Sequence, residues 1–334
     1  MKVMEEQSTR SAGTMGEPRA ASEGRVEGPR PNLFIVGAAK CGTTSLHAYL
    51  GQHPAVFMSS NKEPHFFGSD LKIVEGWRVK DREAYLSLFR DAGQAAVIGE
   101  ASTWYLFSER AAEEIKEFNP EARIVIMVRQ PADFINSLHL QMVNTRSEDI
   151  LDLEGALEAE ADRAEGRRLM EGCRFRHAVA YRRAARFSEQ VERYYRAFGR
   201  ERVGVWLLED MSRDTAGMVK GVLGFLGVDT EAPIDLAREN ASRSLSRVDL
   251  ILKGWYYKSA RVRRLVRRMP KPVMSVYRRI TSRWLPSIRP KGFDPALRAR
   301  LTEEFSDEID RLGVLIERDL SHWKRVEGAD RGSA

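Results

Sequence analysis

The sequence predicts an α/β fold: a P-loop-like, doubly wound parallel sheet flanked by helices, with a helical C-terminal portion. Three observations lead to this prediction. Short apolar runs without polar alternation recur along the chain, as expected for strands that are buried on both faces. Segments with helical periodicity separate these runs, as in sheets wound by crossover helices. A glycine-bounded loop follows the first apolar run, where folds of this class bind phosphate.

The apolar runs give four strands, and helical patterns lie between them. The predicted strands are Leu33–Val36, Ala95–Ile98, Ile124–Val128 and Val203–Leu208. The predicted helices are Thr44–Leu50, Arg82–Phe89, Glu109–Phe118, Ala132–Val143, Ala178–Phe198 and Thr215–Leu226. From Pro295 to Trp323, apolar residues at helical spacing predict a further helical stripe with a break near Gly313. Ligands of doubly wound sheets bind beyond the carboxyl ends of the strands, so Lys40 and Arg129 are expected to face one crevice.

Composition divides the chain into one domain and two short ends. Residues 1–31 are polar and are expected to form a disordered tail, and residues 327–334 a disordered end. Residues 32–326 are long enough to form a single α/β domain with a sizeable core. No apolar run is long enough to span a bilayer, and the first residues lack a signal core, so we expect a cytoplasmic protein. Cys41 and Cys173 indicate neither a disulfide framework nor a metal site.

The positive charge is concentrated in one segment. The formal net charge is +6, and residues 250–293 contain 13 Lys or Arg and no acidic residue, so the rest of the chain is net acidic. Aromatic and aliphatic residues at helical spacing in this segment could place it on an anionic membrane. Three alternatives stay open: a lid over the donor, a contact for an acidic acceptor, and a solvated helical face. We expect no nucleic-acid partner, because no recognition module accompanies the basic segment.

Residues 32–45 carry the most informative motif. The loop after the first strand contains Lys40 and Cys41, and Gly42 then precedes three hydroxyl residues, Thr43, Thr44 and Ser45. Backbone N–H groups at the start of a helix, hydroxyls and a lysine together form a cradle for a nucleotide phosphate. A Walker A loop has its lysine directly after the second glycine, whereas Lys40 precedes Gly42. The helix N-terminus would favour a thiolate at Cys41, with a nucleophilic role or a plain thiol as the alternatives.

Two further segments contain candidate site residues. In KEPHFF, residues 62–67, Glu63 and His65 lie among aromatic residues, where burial would raise the pKa of the carboxyl towards that of a general base. Arg129 follows a predicted strand, and Ser137 comes eight residues later on the next helix, so both could contact one phosphate. The alternative for KEPHFF is a surface turn over a core phenylalanine pair, and Arg-x-Pro before a helix is common without any binding role. The alternative for the Lys40 loop is an ordinary turn between strand and helix with a solvated lysine.

Taken together, the three segments resemble the sulfotransferases that use 3′-phosphoadenosine 5′-phosphosulfate, most closely the branch of heparan sulfate and bacterial enzymes. GAAKCGTTSL (37–46) resembles the 5′-phosphosulfate loop, and RQPADFINS (129–137) resembles the 3′-phosphate motif. KEPHFF resembles the segment with the catalytic glutamate and a nearby histidine, and GEASTWYL (99–106) resembles another active-site strand. VWLLEDM (205–211) and the closing helix fit later landmarks, so the resemblance extends over about residues 32–325.

The resemblance implies in-line transfer of a sulfuryl group, without a metal, to a hydroxyl or amine of a carbohydrate, a lipid or a small metabolite. It implies Lys40, Glu63 and His65 as catalytic residues. It implies a donor site made of Lys40, Cys41, Gly42, Thr43, Thr44, Ser45, Arg129 and Ser137. The heparan enzymes have a lysine where this chain has Ala101 or Ser102, which argues against a highly anionic acceptor. The alternatives are a P-loop-type small-molecule kinase that uses ATP and a basic nucleic-acid-binding protein.

Overall fold

A computed structural model describes residues 29–236, except 75, 146, 171, 172 and 174, and residues 293–325. Five strands form one parallel sheet in these ranges: β1 (Leu33–Gly37), β2 (Val56–Met58), β3 (Val97–Ala101), β4 (Arg123–Val128) and β5 (Val203–Leu207). Their order is β2-β3-β1-β4-β5. The chain therefore winds away from the central β1 in both directions, which confirms the predicted doubly wound parallel sheet.

The sheet is flanked by helices. In chain order these are α1 (Thr43–Leu50), α2 (Arg82–Ser87), α3 (Ala111–Phe118), α4 (Pro131–Asn144), α5 (Leu153–Glu158), α6 (Glu160–Ala164), α7 (Tyr181–Ala184), α8 (Phe187–Phe198), α9 (Leu208–Arg213), α10 (Thr215–Leu226), α11 (Pro295–Glu304) and α12 (Ser306–Leu315). Short 3-10 turns occur at Arg90–Ala92, Arg176–Val179, Arg200–Arg202 and Ser321–Lys324. Among the helices of residues 29–236 and 293–325, none is long and apolar enough to cross a membrane.

The core lies on both sides of the sheet. Every residue of β1 and β3 is buried, as the uninterrupted apolar runs predict. Helix α8 packs against α3, α12, β4 and β5, and α1 packs against α10. The predicted C-terminal stripe is confirmed, because its apolar residues are buried at positions 297, 301, 305, 309 and 312. The stripe breaks at Phe305, between α11 and α12, which was not predicted, and α12 ends at Leu315, close to the predicted break near Gly313.

Two features of the fold differ from the prediction. The short edge strand β2 was not predicted, and β3 begins at Val97, two residues later than predicted. The sequence also predicted one helix over Ala178–Phe198, where the structure has a 3-10 turn, α7 and α8. The chain breaks near Arg186, and the side-chain amide of Gln190 donates to the carbonyls of Arg183 and Ala184 at the end of α7. The basic segment 250–293 lies outside the described residues except for Phe293.

Candidate active site

The loop after β1 and the start of α1 have a geometry that can hold an anion. Gly42 is the N-cap of α1, with φ of +83°, and no side chain caps the helix. The first N–H groups of α1 therefore have no side-chain acceptor, as in helices that bind anions. A Cβ atom on Gly42 would lie 2.9 Å from Cδ1 of Leu208, so both the backbone conformation and the available space favour glycine.

A cleft of about 440 Å³ opens at the carboxyl edge of the sheet. Its lining brings together residues predicted on three separate segments, namely Lys40, Gly42, Thr43, Thr44, Ser45, Glu63, Arg129 and Ser137. We call it the loop cleft. Of the other two predicted site residues, His65 lines a neighbouring cleft and Cys41 is buried beneath the loop.

Cys41 faces the core. Its side chain is fully buried, and burial raises the pKa of the thiol, an effect that nearby Arg129 only partly opposes. The expectation that the helix N-terminus favours a thiolate is therefore wrong, because desolvation outweighs the helix field at this position. The N–H group of Cys41 donates to the carbonyl of Ala38, which closes the turn inside the loop.

The charged side chains that line the loop cleft are three cations, Lys40, Lys62 and Arg129, and one carboxylate, Glu63. Burial lowers the pKa of Lys40, and the charges of Arg129 and Lys62 lower it further. Nε of Arg129 is buried and has no hydrogen-bond partner among the residues described. Neighbouring cations repel one another, and a multiply charged anion that binds between them relieves this repulsion.

Glu63 lies at the edge of the loop cleft among groups that stabilise its charge. Nζ of Lys62 is 3.3 Å from Oε1, and Thr103 donates a hydrogen bond of 2.9 Å to the same oxygen. Nε2 of His65 is 3.7 Å from Oε2. Burial raises the pKa of Glu63, but His65, Lys62 and Thr103 together outweigh it and lower the pKa to about 2. The expected rise is therefore wrong, and Glu63 is a carboxylate throughout the neutral range.

A second cleft, of about 400 Å³, meets the loop cleft at Glu63. Both clefts are lined by Lys62, Glu63 and Gln141. The second one, which we call the aromatic cleft, is also lined by His65, Trp77, Phe175 and Thr145. Trp77 is 46% exposed, and Nδ1 of His65 is buried with no hydrogen-bond partner in residues 29–236 and 293–325. Glu63 can therefore be reached from two sides.

Six residues that line the loop cleft were not predicted: Ala39, Lys62, Thr103, Gln141, Leu208 and Met211. Signals for most of them were present. Thr103 lies in GEASTWYL, and the last two lie in VWLLEDM, segments that the resemblance included without assigning residues. Gln141 lies one helical turn after Ser137, where helical spacing places it on the same face.

Two other findings bear on the site. A groove of about 840 Å³ lies away from the loop cleft, among cations and carboxylates that include Asp70, Arg176 and Arg183, and none of the predicted site residues lines it. Within the described part of the chain, no group of three or more His, Cys, Asp or Glu residues is arranged to hold a metal ion.

Comparison with known proteins gives a consistent result. A family model described as a sulfotransferase domain matches residues 30–312. The crystal structure of a sulfotransferase from Alicyclobacillus acidocaldarius is similar, with 30% identity, a TM-score of 0.67, and coverage of 89% of this chain and 100% of that one. Carbohydrate sulfotransferase 15 of Mus musculus is 32% identical over 158 residues, which cover 34% of this chain and 28% of that protein. Heparan sulfate glucosamine 3-O-sulfotransferase 6 of Homo sapiens is 29% identical over 119 residues, covering 36% and 32%. The chain thus spans less than a third of the length of these two relatives.

Proposed function

From the premise that this chain belongs to the sulfotransferase family, we propose that it transfers a sulfuryl group from 3′-phosphoadenosine 5′-phosphosulfate to an acceptor hydroxyl or amine. Membership of the family makes the protein a transferase, and the donor, the acceptor and the role of each residue are the proposal. The observation that carries it is the convergence of Lys40, Arg129 and the first turn of α1 in the loop cleft, beside Glu63.

The loop cleft suits a donor with phosphates at both ends of its ribose. The buried, unpartnered Nε of Arg129 and the hydroxyl of Ser137 would hold the 3′-phosphate. The uncapped first turn of α1, the hydroxyls of Thr43, Thr44 and Ser45, and the ammonium group of Lys40 would hold the 5′-phosphosulfate. The mutual repulsion of Lys40 and Arg129 supports this assignment, because two separate anionic groups would relieve it.

The reaction follows from the position of Glu63 between the clefts. The acceptor oxygen or nitrogen would attack sulfur in line with the bond to the 5′-phosphate oxygen, and that bond would break as the new one forms. Glu63 would take the acceptor proton, a contribution of about 10²–10⁴ in rate. Lys40 and the loop N–H groups would stabilise charge on the departing phosphate oxygen, and one such donor is worth about 2.7–4 kcal/mol. His65 would orient the carboxylate from 3.7 Å.

The aromatic cleft would hold the acceptor. Trp77 and Phe175 offer apolar ring faces, and Thr145 and Gln141 offer hydrogen bonds. The guanidinium of Arg78 donates hydrogen bonds to the backbone carbonyls of Phe66 and Gly68. Because these N–H groups are already used, Arg78 offers fewer donors to an anionic ligand. Sugar rings and phenols bind to such walls through their faces. We therefore favour a neutral carbohydrate or small metabolite over a polyanionic glycan.

Calorimetric titration with 3′-phosphoadenosine 5′-phosphate (PAP), the desulfated product, tests the donor assignment against ATP with Mg²⁺. The wild-type protein should bind PAP tightly in the absence of metal. Arg129→Ala should weaken this binding by about 10- to 150-fold, the equivalent of one hydrogen bond to a charged group at about 1.5–3 kcal/mol. A preference for ATP with Mg²⁺ would overturn the proposal and favour a small-molecule kinase.

Glu63→Gln is the matched control for the roles of the residues. It changes one charge at the edge of the same cleft, so PAP affinity should stay close to that of the wild type. Transfer of labelled sulfate to a panel of neutral glycosides, amino sugars and phenols should instead fall by about 10²–10⁴. Equal losses of PAP affinity in Arg129→Ala and Glu63→Gln would show that the roles are misassigned.

A further inference from the structure

A fully buried carboxylate lies directly beneath the proposed site. Glu100, on β3, is 0% exposed and accepts three hydrogen bonds from hydroxyls: Tyr85 at 2.9 Å, Tyr105 at 3.0 Å and Ser102 at 2.8 Å. Burial raises its pKa, and the three hydroxyls oppose this rise. No lysine or arginine pairs with Glu100 in the part of the chain that the structure describes. A buried carboxyl group without a cation is costly to the fold, and the transfer reaction as described makes no use of it.

Two of the three hydroxyls also contact the loop that carries Glu63 and His65. The N–H group of His65 donates to Oγ of Ser102 at 3.2 Å, and the N–H group of Phe67 donates to the hydroxyl of Tyr105 at 3.2 Å. A hydroxyl has a single proton, and in both residues this proton is given to Glu100. The lone pairs of both oxygens are therefore turned towards the loop, and the carboxylate sets their direction.

The loop needs such support because its backbone is strained. Glu63 and His65 have φ of +63° and +50°, a left-handed conformation that residues other than glycine rarely adopt. The N–H group of Glu63 also donates to the carbonyl of Ala101 at 2.8 Å. The N–H groups of three alternate residues, 63, 65 and 67, are thus hydrogen-bonded to β3 and to the residues after it. Strained conformations persist only where the surrounding structure enforces them.

We propose that Glu100 is a positioning residue: by orienting the hydroxyls of Ser102 and Tyr105, it holds the 62–67 loop so that Glu63 and His65 face the clefts. The inference rests on the proposed function of Glu63 and extends it to a residue that does not line either cleft. The competing explanation is that Glu100 only stabilises the core.

Two substitutions separate these explanations. Ser102→Ala and Tyr85→Phe each remove one hydroxyl donor from Glu100, but only Ser102 contacts the backbone of the loop. Phenylalanine at position 85 keeps the ring that stacks on Phe66 at 4.2 Å. Glu100→Gln completes the set, because it keeps the shape of the side chain and removes the charge that fixes both hydroxyls.

Hydrogen exchange of the amides of residues 63–67 is the first readout. Ser102→Ala and Glu100→Gln should speed exchange at His65 by about 5- to 10-fold, the equivalent of one hydrogen bond, and Tyr85→Phe should leave it near the wild-type rate. Unchanged exchange in both Ser102→Ala and Glu100→Gln would overturn the proposal, and so would equal acceleration in Tyr85→Phe. If Glu100→Gln does not fold, the comparison of Ser102→Ala with Tyr85→Phe still decides.

Kinetics give the second readout. In Ser102→Ala, kcat should fall by about 10- to 100-fold, because a displacement near 1 Å costs this much, while the KM of the acceptor and the Kd of PAP stay unchanged. If kcat fell in proportion to the loss of melting temperature, and did so to the same extent in Ser102→Ala and Tyr85→Phe, the role of Glu100 would be purely structural. If the wild type transferred sulfate to no acceptor, the proposed function would fail, while the exchange data would still decide whether Glu100 holds the loop.

Discussion

Replacing Gly42 by alanine should weaken the binding of the donor product PAP strongly while lowering the stability of the fold only modestly. Gly42 has φ of +83°, and a residue with a Cβ atom in that conformation costs about 1–2 kcal/mol. The new Cβ would lie 2.9 Å from Cδ1 of Leu208 and 3.2 Å from Sδ of Met211, which are the ends of flexible side chains and can move. The free energy of unfolding should therefore fall by about 1–2 kcal/mol. A shift of the loop that breaks one N–H contact to phosphate should raise the Kd of PAP by about 10- to 150-fold.

Gly166 provides a matched control for this substitution. It also has φ of +83°, but a Cβ atom there would meet nothing within 4 Å, and Gly166 does not line the loop cleft. Urea unfolding and calorimetric titration with PAP should show similar losses of stability in Gly42→Ala and Gly166→Ala, and a loss of affinity in Gly42→Ala alone. Wild-type affinity in Gly42→Ala would refute the phosphate-loop assignment, and an equal loss in both variants would show that the effect is not local.

Two further predictions concern titratable groups whose polar atoms are buried. Burial, followed by the charges of His65 and Arg183, lowers the pKa of His177 to about 3 from its ordinary 6.5, so the unfolded chain binds the extra proton between these values. The stability that comes from neutral His177 is therefore complete above pH 6.5 and is lost as the pH falls towards 3, so the free energy of unfolding should fall by about 2 kcal/mol between pH 7 and 5. Urea titrations should show a weaker dependence of this free energy on pH in His177→Phe than in the wild type. Parallel dependences in the two proteins would contradict this. Since burial raises the pKa of the Cys41 thiol, iodoacetamide at pH 8 should label Cys41 only after unfolding, and peptide mapping that finds the label in the native protein would count against it.

The central strands and the phosphate loop could be predicted because their signals are local. β1, and β4 after Arg123, are runs of buried apolar residues, as expected for central strands of a sheet between helices. The loop motif depends on residues 37–45, which are adjacent in the chain and therefore meet in any fold that forms the strand and helix. Arg129 was found because it directly follows β4, at the same edge of the sheet as the loop.

Elements that depend on distant contacts were missed. β2 has three residues, too few to show a period, and it exists because Val56, Phe57 and Met58 pair with β3. The break between α7 and α8 is another example. The N–H and hydroxyl groups of Ser188, in the first turn of α8, bind the carboxylate of Glu308, 120 residues away. A pattern of apolar spacing carries no information on such partners, so periodicity alone predicted one long helix.

The charge state of Glu63 is a property of the site that also depends on contacts between residues distant in the sequence. The aromatic neighbours in KEPHFF correctly indicated partial burial, since the side chain of Glu63 is 36% exposed, and burial alone raises the pKa of a carboxyl group. The opposite result comes from geometry: Thr103, 40 residues away, donates to the carboxylate, and the strained backbone turns His65 towards it. Because Glu63 is already ionised, it can accept the hydrogen bond of an acceptor hydroxyl without first losing a proton. Its low pKa makes it a weak base towards a neutral alcohol, so the proton should move only as the new bond to sulfur makes that hydroxyl acidic. The role that the resemblance implies for Glu63 stays a proposal, and it cannot rest on a raised pKa.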